Sequence, residues 1–497
     1  MLKKLLDTQI SVKCFLMLLT LAYVLYLFPY ITSQHYFMDD NVRVIIGNPD
    51  WGWQGRPLAD YIMYFLSSNM KRITNLNPMP LLLSMGLLLS VIYYIIKKHI
   101  NSIQIKLLIP YFFIIGNPFF VHNLLYQYDS SLMISAMSLA IFAFFYEDTN
   151  KIKENGIIIL SLIASLSLYQ PCANIYLALI AGNFLIKIKK HHSLKDLYGE
   201  ILKFCCSTGL YYLIIMKILG FSTPRSHFLS FSHPFEIIQM TFNKVEFFVS
   251  SLFLNIPVMQ FSLIIIFFCM FMVTICKEII KEKKLHYKIL LILSPFALFL
   301  SLWGGLLLIK EPLIQPREFV VFSAILFIVS FGVIQVYSNQ ILSILVLLLV
   351  IFSFGFSYNT YNVFKEQKQF EERINDNIYS DIIGHAKLYE AAKIYINGRP
   401  LKSPVLAIES KSTPIYNSFI EPADKWVTRY SLIRMGIRNI QDGFNDDNKV
   451  QLKLICEQTP FIENLYYNIY LINHSAVLWF KAIDSKNKSE YIIPCTK

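Results

Sequence analysis

Long apolar runs recur along the first 360 residues of the chain, and polar residues dominate the rest. Many of these runs approach the ~20 residues that a helix needs to cross the ~30 Å hydrocarbon layer of a bilayer. Because unpaired backbone groups cannot face lipid, we expect the runs to be helical. The pattern predicts about eleven spans, at residues 11–31, 79–97, 104–121, 131–146, 156–170, 172–187, 201–219, 257–276, 288–308, 319–337 and 341–358.

Three stretches of this pattern allow a second interpretation. The first run follows three lysines, as in a signal peptide, but no small-residue cleavage site comes after it, so we predict a retained helix. Pro171 either separates two spans or kinks one long helix within 156–187. The run 235–256 is either a further span or a helix in the membrane interface.

The lysines predict an orientation. With the N-terminus in the cytoplasm, the lysine-rich connections 97–98, 151–153, 187–195 and 277–288 all face the cytoplasm, as the positive-inside rule requires. The loop 32–78 and the whole polar tail then face the outside, which is the periplasm if the source is Gram-negative.

Composition narrows the class of protein. Hydrophobic residues make up 55% of the chain, charged residues make up 16%, and the mean hydropathy is +0.48. A soluble domain rarely has these values. The net charge of +12 is mostly cytoplasmic lysine, which indicates topology and attraction to anionic lipid rather than nucleic-acid binding. The sequence contains no Gly-rich phosphate loop, GxSxG or HExxH, so no motif favours an ATP-driven pump or a hydrolase.

The predicted fold class is mainly α, a polytopic membrane helical bundle in residues 1–360 with a small extracytoplasmic α/β domain in residues 361–497. Turn signals such as Asn397-Gly398 and β-leaning runs such as 475–480 indicate the second domain. Its cysteines, Cys456 and Cys495, form a disulfide in an oxidising compartment or stay two thiols, since the sequence gives no distances.

Two adjacent carboxylates, Asp39 and Asp40, follow the first predicted span. A carboxylate at the edge of the membrane is a candidate general base, and a pair of them is a candidate site for a divalent cation. The alternative is a solvated helix exit with no chemical role.

The same loop contains two indoles, an arginine and a carboxylate within the stretch from Trp51 to Asp60. Indole faces suit pyranose rings, and a guanidinium grips a phosphate through two parallel hydrogen bonds. Arg56 precedes Pro57 at a predicted helix start, where free N–H groups also attract an anion. The alternative for Trp51 and Trp53 is the aromatic belt of the membrane interface.

Other polar residues fall on the predicted external side. Candidates for binding a sugar are Trp51, Trp53, Asp60, Tyr128, Asp129, Tyr169 and Gln170. Candidates for binding a phosphate are Arg56, Arg225 and Arg317, with Arg43 and Lys310 behind them. Asp129 lies at the mouth of a span, where a charge is costly unless it is hydrated or paired, and a helix N-cap is its alternative role. Arg225 and Arg317 alternatively anchor helix ends.

The order and spacing of these motifs resemble the Gtr-type integral-membrane glucosyltransferases that modify bacterial O-antigen. The resemblance spans about residues 30–340 and rests on the acidic pair, Gly55-Arg56-Pro57-Leu58, Tyr126 to Ser130, Tyr169-Gln170 and Pro316-Arg317. It implies a GT-C-type fold and a catalytic acidic pair. It also implies transfer of glucose from undecaprenyl phosphate-glucose to a lipid-linked O-antigen acceptor, at the periplasmic face of the bacterial inner membrane. The tail contains no matching motif.

Such a transfer needs a base for the acceptor hydroxyl and cations for the departing phosphate. We predict Asp39 or Asp40 as the base, with a divalent cation as a candidate cofactor. A single displacement inverts the anomeric centre, so a β-linked donor gives an α-linked product. The alternatives are a flippase for a lipid-linked sugar and a non-catalytic polysaccharide-assembly protein. Midplane charges and inverted halves, which favour transport, are not found in the sequence.

Overall fold

The apolar runs form helices in the computed structural model. The structure describes residues 2–186, 194–221, 234–253, 255–309, 315–337, 340–442, 455, 458–472 and 474–481. The chain divides into two units. Unit 1 comprises Met1–Ser33 and Asn48–Asn359, and unit 2 comprises Gln34–Gly47 and Thr360–Lys497. The segment after the first membrane helix therefore folds with the C-terminal part of the chain.

Six helices of the described residues are long and apolar enough to cross a membrane. They are Val12–Ile31, Met79–His99, Leu194–Ile218, Val258–Lys281, Pro316–Val336 and Gln340–Gly384. Three shorter apolar helices are Asp129–Phe145, Gln170–Ile186 and Leu285–Leu300. The remaining helices of unit 1 are Leu2–Leu6, Pro57–Leu66, Leu108–Phe112, Phe120–Leu124, Lys151–Leu168 and Pro234–Phe253. Short 3₁₀ segments are Gly52–Gln54, Ile105–Leu107, Gly304–Leu308 and Pro316–Val321, the last of which begins the helix Pro316–Val336.

The centre of unit 1 is the helix Asp129–Phe145. It packs against Met79–His99, Lys151–Leu168 and Gln170–Ile186. The helix Phe322–Val336 also contacts Gln170–Ile186, and Gly182 allows their close approach, because a Cβ there would lie only 2.3 Å from Ile328. Helices that are apolar on all sides are thus covered by neighbouring helices as well as by lipid.

The predicted span 104–121 is wrong as a single helix. The structure has a 3₁₀ turn Ile105–Leu107 and the short helices Leu108–Phe112 and Phe120–Leu124 in its place. The break follows from Gly116-Asn117-Pro118, since a residue before proline avoids the helical region. Asn117 then holds the turn that leads into the next helix, because its Oδ1 accepts hydrogen bonds from the N–H groups of Phe119 and Phe120 at 3.1 and 3.0 Å.

The last predicted span, 341–358, is too short. The helix Gln340–Gly384 continues for 45 residues, well past the point where hydropathy falls. Its polar half has Ile374, Ile378 and Ile382 buried at intervals of four residues, which is the spacing of one helix face. This face packs in the core of unit 2 together with Ile394 and Leu478.

Unit 2 contains a five-stranded mixed sheet. The strands in spatial order are Ile440–Asp442, Lys393–Asn397, Ser475–Phe480, Tyr467–Ile472 and Ile462–Glu463. The first three are parallel to one another, and the last three pair in antiparallel fashion. The helices of this unit, besides the end of the long helix, are Asp40–Ile46, Ala386–Tyr389, Pro404–Ser412, Tyr416–Phe419 and Lys425–Arg434. The predicted class, a polytopic membrane helical bundle with a small α/β part, is confirmed.

Candidate functional site

The loop from Trp51 to Asp60 is closed by its own carboxylate. Asp60, in the first turn of the helix Pro57–Leu66, accepts hydrogen bonds from the N–H groups of Trp51 and Gly52 at 3.0 and 2.9 Å. Proline at the first helical position fixes the start of this helix without losing a bond. Asp60 therefore shapes the loop that presents Arg56, which precedes this proline.

Arg56 is held by two residues from a different part of the sequence. Its Nε donates to the side-chain oxygen of Gln170 at 2.8 Å, and its guanidinium lies over the ring of Tyr169, 4.6 Å from the centroid. Gln170 in turn donates to the carbonyl of Gln54 at 2.8 Å. Stacking and the Nε bond fix the plane of the guanidinium, whose terminal nitrogens are the groups that grip two oxygens of a phosphate.

Gly55 is required next to this arginine. It has a φ of +79°, and a Cβ at this position would lie 2.7 Å from the hydroxyl oxygen of Tyr211. The Tyr211 hydroxyl donates to the Gly55 carbonyl at 2.7 Å and lies 3.1 Å from the amide nitrogen of Gln170, which donates to it. Tyr211 thus fixes both Gln170 and the backbone beside Arg56.

Arg317 repeats the arrangement of Arg56. Its guanidinium lies over the ring of Tyr126, 4.9 Å from the centroid, and its charge interacts with Asp129 and Glu318. Its backbone carbonyl accepts hydrogen bonds from Asn123 at 3.2 Å and from the Tyr169 hydroxyl at 3.3 Å. Its Nε is buried and has no hydrogen-bond partner among the described residues.

Tyr169 connects the two arginines. Its ring lies under Arg56, and its hydroxyl is 3.2 Å from a carboxylate oxygen of Glu318, the residue after Arg317. The same hydroxyl also donates to the backbone carbonyl of Arg317. We call the set of Arg56, Tyr126, Asp129, Tyr169, Gln170, Arg317 and Glu318 the arginine cluster.

The carboxylates of the arginine cluster are buried and engaged. Asp129 and Glu318 are each 7% exposed. The indole N–H of Trp51 donates to Asp129 at 2.7 Å. The hydroxyl of Tyr169 donates to Glu318 at 3.2 Å. Burial lowers the pKa of nearby His122, and the Arg317 cation lowers it further, so this imidazole is neutral near pH 7. Buried charges of opposite sign thus compensate one another within the cluster.

The acidic pair belongs to unit 2, where its two members differ. Asp40 is fully buried and accepts from the N–H of Phe37 at 3.4 Å. The side chain of Asp39 is 45% exposed. Arg43 lies one turn along the helix. Its Nη2 is 3.7 Å from Oδ2 of Asp39, and its Nη1 is 3.9 Å from Oδ1 of Asp40. Asp39 is therefore the carboxylate that a substrate can reach, and the charge of Arg43 is already compensated by the pair.

The family model described as Glucosyl transferase GtrII matches residues 25–329. This range is more than half of the chain, and it includes the acidic pair and every member of the arginine cluster. The chain belongs to this glucosyltransferase family.

One curated relative of this GtrII member is an uncharacterized 55.3 kDa protein in the gtrB 5' region of Salmonella phage P22. It is 32% identical over 176 residues, which are 35% of the present chain and 36% of the relative. The match thus spans about a third of the relative's own length. No solved structure matches the chain, so the predicted likeness to GT-C enzymes rests on the sequence.

The structure of this GtrII protein brings many of the predicted site residues together. Seven of them lie in or beside the arginine cluster, namely Trp51, Arg56, Asp60, Asp129, Tyr169, Gln170 and Arg317. Trp51 and Tyr128 are buried, so neither offers a face to a sugar, whereas Trp53 is 64% exposed. Asp39, Asp40 and Arg43 lie in unit 2. Arg225, Lys310, Cys456 and Cys495 lie outside the described residues.

Three members of the site were not among the predicted residues. Tyr126 lies in the motif Tyr126 to Ser130, and Glu318 directly follows the motif Pro316-Arg317; both became visible through their contacts with Arg317 and Tyr169. Tyr211 lies in an apolar run that gave no signal. The part of the chain that the structure describes contains no group of three or more His, Cys, Asp or Glu residues that could hold a metal ion. The divalent cation therefore stays a prediction.

Proposed function

We propose that this multi-pass membrane protein transfers a glucosyl group from undecaprenyl phosphate-glucose to a sugar of a lipid-linked O-antigen repeat. The transfer takes place on the periplasmic side of the bacterial inner membrane, with the N-terminus in the cytoplasm. Membership of the GtrII glucosyltransferase family supports the reaction type. The position of the phage P22 relative, in the gtrB 5' region, supports the Gtr context.

The proposal depends on the observation that two arginines each stack on a tyrosine ring. Arg56 lies on the ring of Tyr169 and Arg317 on the ring of Tyr126, and the Tyr169 hydroxyl donates to the backbone carbonyl of Arg317. A lipid phosphate gains negative charge as it leaves the anomeric carbon, and preorganised cations stabilise that charge most strongly in a site that excludes water. The buried partners of the cluster hold the two guanidiniums ready for this task.

The acceptor hydroxyl is a weak nucleophile and needs a base. We assign this role to Asp39, because it is the exposed member of the acidic pair, while buried Asp40 holds the start of its helix. The hydroxyl oxygen forms a bond to the anomeric carbon as the phosphate oxygen leaves, and Asp39 accepts the proton. One displacement inverts the centre, so a β-linked donor yields an α-linked glucoside.

The test compares surface polysaccharide with and without the gene. Glucose should appear as an α-linked branch when the wild-type protein is present and disappear with Asp39→Asn. Purified protein should convert undecaprenyl phosphate-glucose and polysaccharide acceptor into glucosylated product and undecaprenyl phosphate. Movement of the intact glucolipid across the membrane without any product would overturn the proposal in favour of a flippase.

A further inference from the structure

Unit 2 contains a cavity of about 230 Å³ that the arginine cluster does not include. Three segments of this unit form its walls. Tyr36 and Asn41 come from the segment after the first membrane helix, Asn375 comes from the long helix, and Ser431 and Arg434 come from the helix Lys425–Arg434. None of these residues was a predicted site residue.

The long helix contributes one polar face to the cavity. Glu371, Glu372 and Asn375 lie three, four and seven residues after Lys368, and all four line the cavity. These positions lie on one side of a helix. Ile374 lies in the hydrophobic core instead. The helix is thus amphipathic here, with its polar face towards the cavity.

Two buried side-chain amides line the cavity. Asn41 is 5% exposed and Asn375 is 6% exposed. The hydroxyl of Ser431 lies 3.5 Å from the side-chain oxygen of Asn41. The side-chain oxygen of Asn375 has no hydrogen-bond partner among the described residues. A buried polar atom without a partner costs about 1–3 kcal/mol, so its position at a cavity wall points to a ligand that supplies a donor.

Carboxylates outnumber cations in the lining of the cavity, which contains Glu371, Glu372 and Asp376 against Lys368 and Arg434. Lys368 and Glu371 form a 2.7 Å ion pair, and Glu372 lies 3.2 Å from His35. Arg434 lies over the ring of Tyr36 at 5.0 Å. This excess of negative charge disfavours a phosphate. Neutral amides, a hydroxyl and an aromatic ring instead suit a neutral ligand with many hydroxyls, each of which both donates and accepts.

We infer that this amide cavity binds one sugar ring of the saccharide acceptor. The inference rests on the proposed function, whose acceptor class it places in unit 2. The cavity is smaller than the ~300–1,000 Å³ of sites for drug-sized ligands, which fits a single ring. Asn41 lies on the helix Asp40–Ile46, directly after the acidic pair. A sugar held by Asn41 therefore binds to the same helix whose N-cap residue, Asp39, is the candidate base.

The first experiment measures binding without any donor. Full-length protein in lipid nanodiscs is mixed with O-antigen polysaccharide freed of its lipid, and saturation-transfer NMR reports the bound sugar. Parallel samples contain methyl glycosides of glucose, galactose, rhamnose or N-acetylglucosamine. We expect Asn375→Ala to weaken binding at least about tenfold, since it removes the buried acceptor. Asn377→Ala is the matched control, because Asn377 is exposed on the same helix and does not line the cavity.

Rim variants guard against a folding defect. Arg434 is exposed and Ser431 is partly exposed. Arg434→Gln and Ser431→Ala should also weaken sugar binding. In transfer assays, these variants should raise the acceptor KM and leave the donor KM unchanged. Equal sugar affinity of Asn375→Ala and Asn377→Ala, absence of sugar binding, or binding of inorganic phosphate in its place would overturn the inference. Sugar binding with no glucose transfer would instead contradict the proposed function and leave the amide cavity standing.

Discussion

The arginine cluster of unit 1 and the amide cavity of unit 2 handle charge in opposite ways. In the cluster, two guanidiniums are held on tyrosine rings. In the cavity, Lys368 is paired with Glu371, and the buried lining includes the neutral amides of Asn41 and Asn375. A departing phosphate needs fixed positive charge, whereas a sugar needs neutral donors and acceptors. This contrast supports our proposals that the donor lipid binds in unit 1 and the acceptor in unit 2.

The acidic pair offers the strongest test of this division of donor and acceptor between the two units. If unit 2 supplies the base, Asp39→Asn should lower kcat about 10²- to 10⁴-fold, the usual contribution of general-base catalysis. Turnover at saturating acceptor and donor is the measurement. Asp50→Asn is the control, because Asp50 is exposed and its positive φ of 56° suits asparagine.

Asp40→Asn separates the two members of the pair. Asp40 is fully buried against the Phe37 N–H and Arg43, so this variant should lower thermal stability more than Asp39→Asn does. Wild-type turnover of Asp39→Asn in a protein that reaches the membrane would remove the base from this position.

The stacked arginines give the next largest effect. Arg56→Lys and Arg317→Lys keep the charge but lose the planar fork, so we expect turnover to fall about 10- to 100-fold in each. The donor-dependent step should change, and sugar binding in the absence of donor should not. Arg72→Lys provides the comparison, since Arg72 is exposed. An effect on acceptor binding alone would contradict the assignment of the donor to unit 1.

Sequence patterns predicted the two regions unequally. Asp129 was identifiable because a charge at the mouth of a span is costly, and Arg56 because it precedes a proline at a predicted helix start. Gln170 and Arg317 were identifiable as polar residues on the predicted external side. The pairing of Arg56 with Gln170 was not identifiable, because the two residues are 114 positions apart. Tyr211 was hidden for another reason, since a tyrosine within an apolar run looks like packing or an interfacial anchor.

The amide cavity was harder still to predict. Asn375 lies in a stretch whose hydropathy is that of a soluble helix, and hydropathy ended the predicted span at residue 358, although the helix continues to Gly384. The return of Gln34–Gly47 to unit 2 depends on tertiary contacts that no local pattern encodes. By contrast, the strand Ser475–Phe480 agrees with the predicted run 475–480, because a short apolar run that contains valine, tryptophan and phenylalanine is a local signal.

The two indoles of the loop from Trp51 to Asp60 sharpen the description of the arginine cluster. Trp51→Phe removes the N–H that Asp129 accepts at 2.7 Å. Loss of a hydrogen bond to a buried charge should cost about 1.5–3 kcal/mol in the free energy of unfolding. Trp53→Phe is the matched control, because Trp53 is 64% exposed. Thermal unfolding in nanodiscs measures both, and equal midpoints would show that the indole of Trp51 does not support Asp129.

The smallest expected effect tests whether the backbone beside Arg56 is held in place. Gly55→Ala should cost about 1–2 kcal/mol for the left-handed conformation at its φ of +79°. The new Cβ also approaches the Tyr211 hydroxyl at 2.7 Å, so Tyr211 must move and its bond to Gln170 weakens. Because Gln170 holds Arg56, the donor KM should rise while the acceptor KM stays constant. Gly86→Ala, with nothing within 4 Å of its Cβ, should leave both constants unchanged, and a parallel rise in the acceptor KM of Gly55→Ala would mean that the two regions do not work separately.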